Sequence, residues 1–178
     1  MPRIAARLGV DAEPLDLDDR RVRDWLAACI PPETSAVDRF AAASAIVREH
    51  PATMERADLV DDLLALCARM PEDALLVLVD TYVHVFLTDD QRARFRRLLP
   101  ELGRNAEWIS VDPLVPLGPQ GRESAQDLRV PARALEASRA GVTGVIGHLS
   151  VRGNGSTCGE ILGLAHPGGA WLEWLGPR

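Results

Sequence analysis

The 178-residue chain predicts an α/β fold in three layers, a mostly parallel sheet flanked by helices and finished by an antiparallel hairpin. Three observations predict it. A continuous branched apolar run, Leu75 to Val79, ends in polar residues and has the composition of a strand buried on both faces. Helical segments stand before and after it, and a second strand, "AEWISVDPL", follows the later one. The tail "VTGVIGHLSVRG", "CGEILGLAHP" and "AWLEWL" reads as three strands joined by turns at Asn154-Gly155 and Gly168-Gly169. Alternating strand and helix gives parallel pairing, and tight turns give antiparallel pairing.

Taken in order, "DLDDRRVRDWLAACIPP" is a helix. Asp18 and Asp19 sit at its positive end, and Pro31-Pro32 stop it. "SAVDRFAAASAIVREHP" is a second, with Ser35 as N-cap and Val37, Phe40, Ala41, Ser44 and Val47 as its inner stripe. Residues 52–56 read as a short extended piece and Asp58 as an acidic turn. A helix over 59–70 then carries Leu63, Leu66, Cys67 and Met70 inward. After the apolar strand, Thr88 caps a helix with Phe95, Leu98 and Leu99 inside, and Gly103 ends it. "PLVPLGPQGRES" is the most mobile loop by composition, and "PARALEASRAG" is a short helix. One α/β domain over 1–178 is expected, helical over 18–70 and strand-rich over 74–178.

Composition excludes several function classes. A net charge of −6 lacks the basic footprint of a nucleic-acid binder, and "RARFRR" reads as a solvated helix face. No apolar run approaches the roughly 18 residues of a membrane span. All 20 basic residues are arginine. Three cysteines without metal-type spacing predict reduced thiols and a cytoplasmic chain.

Several stretches carry a family resemblance: "GVDAEPLDLDD" with "RDWLAACIPPE", "ERADLVDDLLALCARMP", "LLVLVDTYVHVFL", "WISVDPL" and "LAHPGGAWLEWLG". Their order resembles the bacterial domain of unknown function two-three-three-two family. The succession of strands and helices resembles the second half of the class I S-adenosylmethionine-dependent methyltransferase fold, which is Rossmann-like. That resemblance implies a chain matching the C-terminal portion of a longer protein. The strand ending in a Gly-x-Ser-x-Gly turn, which lies under the cofactor, is not found in residues 1–30. S-adenosylmethionine is then the candidate cofactor. A bare edge at residues 75–80 would be filled by a partner chain carrying the missing N-terminal half, by a second copy, or by the chain's own N-terminal segment. A start called too far downstream is the plain alternative. The function expected is a methyltransferase-like protein lacking its own glycine-rich loop and completed by a partner or self-association; the alternative is a non-catalytic assembly subunit.

Six residues are candidates for ligand binding. Asp58 resembles the acidic residue that meets the adenine amine in methyltransferases, and an N-cap Asp accounts for it as well. Asp80, Thr81, Tyr82 and His84 lie at the C-terminal end of the apolar strand, where open α/β sheets place ligands. His84 is either a base or a structural histidine. Asp112, before Pro113, ends the next strand and is also a turn former. Asp80 with His84 offers a third, hydrolytic reading. Cys158 and His166 stand eight residues apart on one strand, about 27 Å, too far for a nucleophile–base pair. His148, Cys158 and His166 lack metal spacing, and no metal site is expected. "GNGSTCG" precedes a strand rather than a helix, so it is a hairpin turn and not a phosphate loop.

Overall fold

The computed structural model describes residues 3–30, 36–116, 122–141 and 143–176. The chain divides into two compact units, 1–62 and 63–178. The proposed Ser35 cap and the Pro31-Pro32 stop lie outside the described residues.

In the first unit, β1 (Leu8–Asp11) pairs in parallel with β2 (Thr53–Arg56), connected through α1 (Arg20–Ala28) and α2 (Ala36–Glu49). Asp19 caps α1 by accepting the Arg21 N–H at 2.8 Å. Arg48 of α2 reaches Asp18 at 3.0 Å, joining the two helices at the start of α1. The expected inner stripe of α2 is not a buried one. Of its five residues Ser44 alone is buried, Phe40 is half-buried, and Val37 and Val47 are 38% and 47% exposed. A stripe of that spacing needs an opposing layer, and the described residues of this unit supply little of one. Helicity after Asp58 also starts later than expected, with a turn over residues 59–62.

The second unit opens with α3 (Leu63–Ala68), which buries Leu63 and Cys67. Burial raises the Cys67 thiol pKa, against the opposing pull of the Arg104 charge. Then come β3 (Leu76–Thr81), α4 (Asp89–Leu98), β4 (Ala106–Asp112), α5 (Ala132–Ala140), β7 (Gly144–Val151), β8 (Thr157–Ala165) and β9 (Leu172–Trp174). Thr88 and Gln91 close a capping box on α4, and a single 3-10 turn continues it to Gly103, whose φ of 64° ends it. The Pro/Gly loop closes on itself, β5 (Val115–Pro116) pairing with β6 (Arg122–Glu123); 117–121 lie outside the described residues.

The main sheet has the order β3-β4-β7-β8-β9. Only β3 and β4 are parallel; the three later pairings are antiparallel, which corrects the mostly parallel sheet expected from the sequence. The cause is local. Turns at Asn154-Gly155 (φ 83° at Gly155) and Gly168-Gly169 (φ 68° at Gly169) reverse the chain within a few residues, and β7 docks against β4 running the other way.

The second correction concerns β3. Leu76 is buried, yet Leu75, Val77 and Val79 are 60%, 48% and 69% exposed. Among the described residues β3 is an edge strand with one face open, so its apolar run does not mark burial on both sides. The third correction is Arg92, which is no solvated charge. It is 7% exposed and donates to the carbonyls of His84 and Leu87 and to Asp89.

Arg104 holds the approach to β3. Its guanidinium donates to the carbonyls of Met70 at 3.2 Å, Pro71 at 2.6 Å and Ala74 at 2.6 Å. Charged donors to carbonyls are worth roughly 1.5–3 kcal/mol. Arg104→Met is expected to cost about 2 kcal/mol in urea unfolding, and a loss below about 0.5 kcal/mol would show these bonds to be replaced by water.

Candidate functional site

Five of the six candidate residues, Asp80, Thr81, Tyr82, His84 and Asp112, lie around the C-terminal ends of the parallel pair. The register sets Asp80 beside Ser110 and Thr81 beside Val111. After Thr81 the chain turns sharply, with Tyr82 at φ 57°, a left-handed conformation uncommon for a bulky residue. Its N–H is held by the Val111 carbonyl at 2.9 Å. The turn leads into a single 3-10 turn, His84–Phe86, that drives His84 inward and leaves Phe86 84% exposed.

His84 is fully buried between Phe95 and Trp108, with ring centroids 5.2 Å from each. Phe95 and Trp108 meet edge-to-face at 4.9 Å. The Trp108 Nε1–H donates to Asp80 Oδ2, and the His84 N–H donates to Asp112 Oδ1 at 3.1 Å. His84 Nε2 stands 3.5 Å from Asp80 Oδ2, and neither ring nitrogen makes a hydrogen bond. Asp80 Oδ1, Asp112 Oδ2 and the Tyr82 hydroxyl are likewise buried, and apart from a proton shared between the two carboxyls they have no partner.

Electrostatics follow from this burial. Asp112 is 2% exposed. Desolvation first, then the Asp80 charge and a hydrogen bond between the two carboxyls, push its pKa up to about 8. The His84 and Val85 N–H groups oppose that shift without reversing it. The Asp80–Asp112 pair therefore holds one proton between its facing carboxyls at neutral pH. Burial, and secondarily the Asp112 charge, raise the Tyr82 phenol.

Thr81 is exposed. Asp58 belongs to the first unit, and its Oδ1 accepts the N–H groups of Val60 (2.7 Å) and Asp61 (2.9 Å) in its own turn. Cys158 lies at the start of β8 and His166 just past its end. His148 instead meets Glu107 at 2.8 Å. Burial opposes ionisation of Glu107, but hydrogen bonds from Ser150 and His148, with the charges of His148 and Arg152, hold its pKa below the usual value.

Sequence reasoning missed Trp108, Ser110 and Gln126. Gln126 donates to Ser110 Oγ at 2.7 Å and lies where a Cβ on Gly147 would sit, so this glycine makes the room. The one available signal was a polar Ser110 within an otherwise inward-facing alternation.

The chain matches, over residues 1–174, a family described as uncharacterized protein conserved in bacteria, DUF2332. It belongs to this family. No curated protein and no solved structure matches it.

Whether this DUF2332 chain could take S-adenosylmethionine is tested by the space at its carboxylates. His84 is fully closed, Asp112 nearly so, and the Asp80 side chain is 10% exposed beneath Trp108. These residues as placed do not fit an adenosyl group. A shallow cavity of about 460 Å³ lies elsewhere, lined by Arg133, Glu136, Thr143, Leu164, Trp171 and Glu173, with Arg133 and Glu173 already paired at 2.6 Å.

Proposed function

We propose that this chain is a component of a methyltransferase-like α/β assembly, in which another polypeptide supplies a strand along β3 and a layer over its open face. One observation carries the reading: Val77 and Val79 of β3, with Leu75 just before it, are 48%, 69% and 60% exposed on a strand that has a neighbour on one side alone among the described residues. A bare apolar edge is a template for pairing, and folded proteins normally cover it. The occupant is a strand of another chain, a second copy included. Catalysis by this chain alone is no part of the reading.

The test is light scattering with size-exclusion, on the chain alone and co-expressed with its genomic neighbours. The expected result is a dimer or hetero-complex that Val79→Glu dissociates at least tenfold. The substitution leaves monomer stability within about 0.5 kcal/mol, because the site is exposed. A monomer whose β3 amides are already protected from hydrogen exchange, under every condition, overturns the proposal.

A non-catalytic subunit that keeps the fold is the second reading, favoured by the closure of the carboxylate cluster. Titration calorimetry with S-adenosylmethionine and S-adenosylhomocysteine separates the two. Heat from the assembled complex supports the methyltransferase-like reading, and no heat from either compound supports the subunit reading.

A further inference from the structure

We infer that Asp80, His84 and Asp112 form a binding site for a divalent transition ion of the Zn²⁺ or Mn²⁺ type. One ligand atom from each of the three lies within 4.8 Å of the others. Tetrahedral coordination with bonds near 2.1 Å places ligand atoms about 3.4 Å apart, so side-chain adjustments of roughly 1 Å complete the geometry.

Geometry alone would be a weak argument, since carboxylates cluster for many reasons. The independent observation is His84. It is 0% exposed, faces the two carboxyls, and has no hydrogen bond at Nδ1 or Nε2. Buried imidazole nitrogens are normally satisfied, and one left bare beside two carboxyls points to an acceptor of electron pairs.

The rest of the site has the second layer that metal ligands carry. Trp108 Nε1–H fixes Asp80 through Oδ2, and the His84 N–H fixes Asp112 through Oδ1 at 3.1 Å. Each carboxyl thereby keeps one oxygen that takes no N–H donor, Asp80 Oδ1 and Asp112 Oδ2. A divalent cation entering the site displaces to solvent the proton held between the carboxyls, and the two ionised carboxylates then balance its charge, which makes the filled site neutral and compatible with burial. The donor set selects the ion. Imidazole disfavours Mg²⁺ and Ca²⁺, the absence of thiolate disfavours Cu(I), and mixed nitrogen and oxygen ligands suit Zn²⁺ or Mn²⁺.

This inference rests on the cluster and not on the partner strand, so either proposal can fail alone. The full chain is stripped with a chelator, dialysed, and titrated with Zn²⁺, Mn²⁺ or Co²⁺, the last as a spectroscopic probe. The expected result is one ion per chain retained on dialysis, a thermal midpoint raised by several degrees, and ligand-field bands with Co²⁺. Asp112→Asn and Asp80→Asn, near-isosteric variants, are each expected to weaken binding more than tenfold. A wild-type chain that retains no ion and shows no shift in midpoint overturns the inference. So does binding that both variants and His84→Gln keep at full strength, since the ion would then sit elsewhere. The wild-type measurement stands even if a variant fails to fold.

Discussion

Trp108→Ala is expected to lower the unfolding free energy by about 4 kcal/mol, in the middle of the range for deleting a buried aromatic side chain. Trp108 is 0% exposed at the centre of β4, between β3 and β7, opposite Leu78 on one side and Leu149 on the other. Its ring packs on Phe95 and His84, so truncation opens a cavity bounded by three elements that cannot all collapse inward. It also removes the N–H that holds Asp80 Oδ2, leaving a nearly buried carboxyl with one donor fewer. Trp108→Phe separates the two effects. It keeps most of the packing and loses the hydrogen bond, and should cost about 1–3 kcal/mol. Urea unfolding followed by far-UV circular dichroism measures both. An Ala variant within about 1 kcal/mol of wild type would show that this aromatic cluster is not the centre of the unit.

The second large effect is a pH dependence set by Asp112. Its pKa is about 8 in the folded chain against an ordinary 3.8, so the folded state holds a proton that unfolding releases throughout the interval between them. Its stabilising contribution is complete below about pH 4 and is lost as pH rises through about 8. In a chelated sample, stability attributable to this group should fall by more than about 2 kcal/mol between pH 5 and pH 8, with a slope no steeper than about 1.4 kcal/mol per pH unit. Asp112→Asn mimics the protonated carboxyl, keeping an oxygen for the His84 N–H and offering an N–H toward Asp80. The variant should lack this slope and become the more stable protein at pH 8 and above. Parallel wild-type and variant stability profiles over that range would refute the assignment.

The local elements were legible because their causes are local. Thr88 and Gln91 are three residues apart and announce the start of a helix wherever it packs. Asn154-Gly155 and Gly168-Gly169 announce reversals, and Gly103 a helix end. Two polar residues at the ends of apolar strands, Asp80 and Asp112, were visible as candidates for the same reason. Their meeting was not visible. It depends on the β3–β4 register and on a left-handed turn at Tyr82, a bulky residue that no turn rule places there. Arg92 was misread because a helix face rich in arginine looks solvated until the residue lying beneath it, here the His84 carbonyl, is known.

The sequence alone determined an α/β chain of negative charge, its helix and turn boundaries to within a few residues, and the polar character of two strand ends. Each of these follows from neighbours fewer than about ten residues apart. Tertiary structure decided that three of the four pairings in the main sheet are antiparallel, that the most apolar strand lies at an open edge among the described residues, and that Asp80, His84 and Asp112 converge. Those outcomes turn on which strand lies beside which. An apolar run of given composition is compatible with two neighbours or one, so strand order is settled by packing across the whole unit.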